Sequence, residues 1–231
     1  MKRMMLACLV LLAACQPQEI DPAFDEAKGA ELLAAYEAAR ASGDFETAEL
    51  RGDELRQRHG ETGAATTMRQ TLEQVRVEAE AMRDRRRLVQ LWDYQSIPAA
   101  GGTQHSASIY SRVPVDPETG RALAIPDAQL ILRRHPEWGD SAYLVLTQKS
   151  LSCGPPCRLQ IRFDEAETFS YEGDPADTGT GPALFIVDRD RFLKAMQQAR
   201  RVRIELPRSA HLAPVVEFEV GGFQPRPGLI D

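Results

Sequence analysis

Residues 82–98 read M-R-D-R-R-R-L-V-Q-L-W-D-Y-Q-S-I-P, and the architecture turns on where in this stretch one periodicity gives way to another. Upstream, from Phe24 to Trp92, there is no proline, and Ala, Glu, Arg and Leu dominate, the residues that lose least by entering a helix. Downstream, thirteen of the fifteen prolines lie beyond residue 95, and the apolar residues alternate with polar ones. The change near Leu91 predicts a helical module over 24–91 followed by a β-rich domain over 92–231, an α+β chain.

Within the helical part, Ser42-Gly43-Asp44 interrupts the pattern. Gly43 suits a helix C-terminus and Asp44 the next N-cap, so 24–60 is expected to form a helical hairpin. The phrase Gly43-Asp44-Phe45-Glu46-Thr47-Ala48 resembles the inter-helix turn of a tetratricopeptide repeat, where a small residue such as Ala48 lets two helices approach. Three positions depart from that family's pattern: Tyr36 stands where it has a small residue, Gly52 where it has an aromatic, and Gly60 where it has proline. No second copy occurs at a spacing near 34 residues, so the resemblance implies one repeat-like hairpin, and an ordinary helical hairpin is the alternative.

A third helix is expected over 66–92. Its apolar residues Met68, Leu72, Val75, Ala79, Met82 and Val89 make a narrow stripe in alternating steps of four and three, with Arg86 in one slot. Such a stripe either completes a small bundle with the hairpin or forms a seam between copies of the chain, so oligomerisation through 66–92 stays open. Arg83, Arg85, Arg86 and Arg87 are expected on a solvated face, with an attraction to helix C-terminal carbonyls and to anionic headgroups.

The β-rich part carries runs at 92–94, 106–110, 128–133, 142–147, 158–163, 184–188, 201–206 and 214–220, separated by Pro, Gly and Asp turns. About eight short strands at this spacing predict a mostly antiparallel β-sandwich or partly open barrel. One helix interrupts them over 188–200, with Asp188 as its cap and Phe192, Leu193, Met196 and Ala199 on one side. The segments Phe192-Leu-Lys-Ala-Met, Arg203-Ile-Glu-Leu and Val216-Glu-Phe-Glu-Val-Gly-Gly-Phe223 resemble small envelope β domains of the invasion-associated locus B and type VI secretion-associated families. That likeness implies a non-catalytic envelope accessory domain and transfers no site residues.

The N-terminus supplies an address. Lys2 and Arg3 precede an apolar run from Met4 to Ala14, too short to span a bilayer and shaped like a secretory leader. Leu12-Ala13-Ala14-Cys15 resembles the lipobox of bacterial lipoproteins, which implies cleavage after residue 14, acylation of Cys15 and a polar tether over 15–23; an ordinary secreted protein is the alternative. Gln16 after the cysteine resembles the outer-membrane sorting signal, so the expected location is the bacterial cell envelope, lipid-anchored and facing the periplasm. Multiple acyl chains hold a protein on a bilayer where one is marginal, each buried methylene adding about 0.8 kcal/mol.

Cys8 is discarded with the leader and Cys15 is taken by lipid, which leaves Cys153 and Cys157. In an oxidising compartment that pair is expected to form a disulfide. Within Ser150-Leu-Ser-Cys-Gly-Pro-Pro-Cys157, the motif Cys-Gly-Pro-Pro-Cys is one residue longer than a redox Cys-Gly-Pro-Cys. A redox centre places its first cysteine at a helix N-terminus, whereas the flanks here are strand-like, so a structural staple at a tight hairpin loop is preferred to a thiol oxidoreductase.

The formal net charge is −6, and loss of Lys2 and Arg3 leaves 26 cations against 34 acids, or −8. Such a chain gains nothing from neutralising phosphates, so nucleic acid is excluded as a partner class. His59, His105, His135 and His211 stand in no metal-ligand spacing, and no metal site or cofactor is expected. No nucleophile elbow, phosphate loop or dinucleotide fingerprint occurs. Ser106 and Ser108 lie near His105 on one strand run, where neighbours point to opposite faces, and paired acids such as Asp164-Glu165 and Asp188/Asp190 are ordinary surface charges. Gly173-Asp-Pro-Ala-Asp-Thr-Gly-Thr-Gly-Pro182 is expected to be an exposed loop at a binding edge or a mobile connection.

These features predict a lipid-anchored envelope accessory or binding protein, not an enzyme, with an envelope protein as partner. The alternative is an envelope hydrolase, or an inhibitor of one, acting from the β domain. A cleft collecting His105, His135 or His211 with acids favours the enzyme, and a flat or apolar exposed face favours binding.

Overall fold

The computed structural model describes residues 22–147, 153, 156–176, 183–206 and 215–229; Cys15, His211 and 177–182 of the expected loop lie outside them. The chain divides at Met82/Arg83 into two compact units, several residues before the change of character at Leu91.

In the first unit, α1 (Pro22–Ala41) and α2 (Phe45–Arg58) form the expected hairpin, and α3 (Gly63–Gln90) begins behind them. α1 starts at Pro22, inside the segment read as tether, because proline's fixed φ and missing N–H suit a first helical position. Gly43 takes φ +79° at the turn, and the Asp44 carboxylate accepts the Thr47 N–H to cap α2. Met68, Leu72 and Val75 are buried with Tyr36, Ala48 and Leu55, so this part of the stripe on α3 packs on the hairpin. Ala79, the next member, is buried as well, and Met82 after it is exposed.

The stripe ends at Arg86 because the helix there enters the second unit, where Leu88 and not Val89 is buried. A Cβ added to Gly222 would overlap the Leu88 backbone, so Gly222 permits the last turn of α3 to lie on the short 3-10 turn at Val220–Gly222. Arg87 donates to Glu219 (2.8 and 2.9 Å) and to Asp84, while Arg200 also reaches Asp84.

Among the described residues the second unit carries one antiparallel sheet of nine strands, with spatial order β1-β2-β3-β4-β7-β6-β5-β8-β9. The strands are β1 (Asp93–Ala99), β2 (Gly102–Tyr110), β3 (Ala128–His135), β4 (Gly139–Leu146), β5 (Arg158–Phe163), β6 (Thr168–Pro175), β7 (Ala183–Ile186), β8 (Val202–Glu205) and β9 (Val215–Phe218). The sheet curls until Arg112, two residues past β2, donates its backbone N–H to the Glu217 carbonyl of β9 (2.7 Å). A partly open barrel is thus adopted, and the sandwich is not.

Two sequence expectations change here. Residues 168–175 form β6, although Gly173-Asp174-Pro175 has loop composition; the Gly173 N–H donates to the Cys157 carbonyl (3.0 Å), and Gly173 pairs with Ile186. The connection from β4 to β5 is also no hairpin, since β7 and β6 lie between those strands.

Alternation decides which face is buried. Leu130, Leu132, Leu144, Leu159, Ile161, Leu184, Ile204 and Phe218 point into the concave face, where α4 (Arg189–Met196) lays Phe192, Leu193 and Met196 over them. Asp188 caps α4 by accepting the Arg191 N–H. Fully burying each such side chain contributes about 1.5–3 kcal/mol, and the opposite face of the sheet is left for other use.

Candidate functional site

The three described histidines do not converge. His59 lies in the first unit with Asp25 (2.6 Å), and His211 is outside the described residues. His105 and His135 sit on the neighbouring strands β2 and β3, but His105 is paired in register with Arg134 while His135 is paired with Gly139, so their side chains leave opposite faces of the pleat. Among the described residues no three His, Cys, Asp or Glu side chains gather in a metal-binding cluster.

His105 has a partner that sequence neighbours did not indicate. The β1–β2 hairpin turns at Ala100-Gly101, where Gly101 adopts φ +80°, and its register places Ser96 opposite His105. Ser96 Oγ and His105 Nδ1 are 2.9 Å apart, whereas Ser108 instead accepts a hydrogen bond from Gln129. The pair opens on a cavity of about 230 Å³ walled by Tyr94, Arg226, Pro227 and Leu229. Nucleophilic catalysis needs the base oriented by a third group, usually a carboxylate, and no acid lines this cavity.

The outward face of β3, β4 and β7 carries the more developed constellation. Register aligns Ile131, Tyr143 and Phe185 in one cross-strand row, and the next row contains Arg133 opposite Ser141. Tyr143 and Phe185 are in ring contact (5.0 Å between centroids). In the β3–β4 turn, His135 Nδ1 accepts the backbone N–H groups of Glu137 (3.1 Å) and Trp138 (3.3 Å), wrapping the chain around a largely buried imidazole. That wrapping stacks the Trp138 indole on the His135 ring, 3.9 Å apart and 11° from parallel, yet leaves the indole 69 % exposed. Val187 extends the apolar surface beyond Phe185 and is also exposed.

Arg133 is the cation of this face. Its guanidinium lies 5.4 Å from the Trp138 ring centroid and 5.2 Å from that of Tyr143. Among the described residues no carboxylate pairs with it, and its buried Nε finds no hydrogen-bond acceptor. Ser141 Oγ, across the ladder, is likewise buried without a partner. The neighbouring arginines differ: Arg134 pairs with Asp140 (2.7 Å), and Arg189 with Asp140 (3.1 Å) and Asp190 (2.6 Å). The Arg134 hydrogen bond holds the Asp140 carboxyl below its usual range, while burial pushes the Tyr143 phenol up against a smaller opposing pull from Arg133. Tyr143 therefore presents a neutral hydroxyphenyl ring at neutral pH.

This constellation is missed from sequence. The available signal is Trp138 in Pro136-Glu137-Trp138-Gly139, an indole placed in a turn by its neighbours, where burial is not expected.

Cys153 and Cys157 are joined as a disulfide with Cα atoms 5.2 Å apart, and β5 begins at Arg158, so no helix follows the second cysteine. The Cys157 sulfur packs over Gly173, where an added Cβ would lie 2.8 Å from it. Through Cys157 the disulfide lies against Gly173 of β6. Among the described residues no helix is long and apolar enough to cross a membrane. No family model, curated protein or solved structure matches this chain.

Proposed function

We propose that this is a lipid-anchored envelope accessory protein that acts by binding another envelope protein and has no catalytic role. In this reading Cys15 carries the acyl chains, the polar segment after it spans the headgroups, and the protein faces the periplasm from the outer membrane. The observation that carries the binding role is the outward face of β3, β4 and β7, where an exposed indole, two further aromatic rings and an unpaired arginine lie together. Trp, Tyr and Arg are the residue types that dominate binding energies at protein interfaces, and a monomer rarely leaves them clustered without use.

The test combines address and contact. Metabolic labelling with a palmitate analogue is expected to mark the chain and to fail with Cys15→Ser. Quantitative capture from detergent-solubilised envelopes is expected to yield a partner with the wild-type chain that Trp138→Ala loses; equal recovery by both would remove the face from the account.

The second reading, an envelope hydrolase, is favoured by one feature, the Ser96–His105 hydrogen bond. Labelling by a fluorophosphonate that disappears with Ser96→Ala would establish it.

A further inference from the structure

Two of the three buried side-chain polar atoms without a hydrogen-bond partner among the described residues, Arg133 Nε and Ser141 Oγ, belong to residues paired in register across β3 and β4. An unsatisfied buried donor costs about 1–3 kcal/mol, and no carboxylate among the described residues offsets that cost by pairing with the Arg133 guanidinium. Arg133 is also held in place: its guanidinium is flanked by Trp138 and Tyr143, and weakly hydrated arginine keeps its charge in such a setting. Asp140 is held by Arg134 and Arg189, and Asp190 by Arg189, while Asp174, in register with Phe185, forms no ion pair with Arg133.

We infer that the outward face recognises a protein segment that carries a carboxylate flanked by aromatic or aliphatic side chains, with the carboxylate on Arg133 and the flanking groups on Trp138 and on the Tyr143–Phe185 row. This rests on the reading of the face as a docking surface and adds the chemistry of its occupant. Charge selects the anion: in a chain of net charge −6 this cation has no carboxylate partner among the described residues and lies beside aromatic rings, and a planar guanidinium matches a carboxylate with two parallel hydrogen bonds. The outward sheet face, opposite the concave side and apolar through Ile131, Val187 and the two rings, suits flanking side chains better than a sugar ring, which binds in a concave site with several polar partners.

The chain contains two tryptophans, of which Trp92 is 6 % exposed, so acrylamide quenching of intrinsic fluorescence reports mainly on Trp138. The purified full chain in detergent is titrated with three acetylated, amidated pentapeptides, Ser-Phe-X-Phe-Ser, where X is Glu, Gln or Lys, and with chitotriose. The Glu peptide is expected to shield Trp138 and to bind about tenfold more tightly than the Gln peptide, the size of one interface ion pair to arginine. Arg133→Gln is expected to abolish the difference between the Glu and Gln peptides. Equal shielding by Glu and Gln peptides, or strongest shielding by Lys, overturns the carboxylate inference and leaves a docking face of other chemistry. Shielding by chitotriose alone, or by none of the four, overturns the inference and the protein-docking reading together.

Discussion

Tyr36 fills the space that Gly52 leaves open: a Cβ on Gly52 would stand 3.3 Å from the Tyr36 ring and 2.7 Å from Leu72 Cδ1. Two of the three positions at which the hairpin departs from the repeat-like pattern are thus one exchange of volume, with the large residue moved from α2 to α1. Tyr36 is buried, and its hydroxyl is 2.7 Å from Thr71 Oγ1. Tyr36→Ala is expected to cost about 3 kcal/mol of stability by leaving a cavity. Gly52→Ala alone is expected to destabilise through crowding by about 1–2 kcal/mol, even after the gain in helix propensity. Because the second change relieves the first, the double variant is expected to be more stable than the sum predicts. A double-mutant cycle by urea unfolding reads the coupling; strict additivity would deny the contact.

Gly222→Ala places a methyl group against the backbone of Leu88, which cannot yield as a flexible side chain can. The expected loss is about 3 kcal/mol or more, whereas Gly120→Ala, with open space around its Cβ position, is expected to cost only its positive-φ strain of about 1 kcal/mol. Thermal melts of the two variants check this; equal losses would contradict the packing of residues 83–90 on the 3-10 turn.

Glu219 and Asp140 predict how acid acts on the second unit. Hydrogen bonds from Arg87 and Arg134, respectively, hold their carboxyls below the ordinary range in the folded state, outweighing burial. A carboxyl whose folded pKa is depressed stabilises above its unfolded pKa, about 4 for these side chains, and that contribution is lost as pH falls through the folded value. Urea midpoints are therefore expected to be flat from about pH 7 to 5 and to fall below about pH 4. Arg87→Gln is expected to flatten part of that fall; an unchanged pH profile in this variant would contradict the pairing.

Reduction of the Cys153–Cys157 bond, or Cys153→Ser with Cys157→Ser, frees only a short loop, so the expected cost is about 2 kcal/mol, a Tm lowered by about 5 °C. Cys157 is buried against Gly173, and loss of the disulfide is expected to speed hydrogen exchange of the Gly173 amide, which donates to the Cys157 carbonyl. Unaltered exchange at Gly173 would separate the disulfide from β6.

Elements with local determinants were legible in the sequence. Gly43 and Asp44 marked the hairpin turn, Asp188 the cap of α4, and period-two alternation most of the strands, because each of these depends on residues close together in the chain. β6 was concealed by Gly173 and Pro175, which look like a loop until Cys157 and Ile186 supply partners from other elements. The Ser96–His105 pair and the Arg133–Tyr143–Phe185 face depend on cross-strand register, and β7 lies beside β4 only because the chain passes through β5 and β6 first. Periodicity names the buried face of a strand but not its neighbours.

The central claim, that the outward face of β3, β4 and β7 is a docking surface, is tested most directly by placing the photo-crosslinker benzoylphenylalanine at position 138 or at position 118 in the full chain and irradiating intact cells. The account predicts a discrete crosslinked protein from position 138 that is lost when Arg133→Gln is added, and none of that species from position 118. Absence of a discrete product at position 138, or the same product from both positions regardless of Arg133, would contradict it.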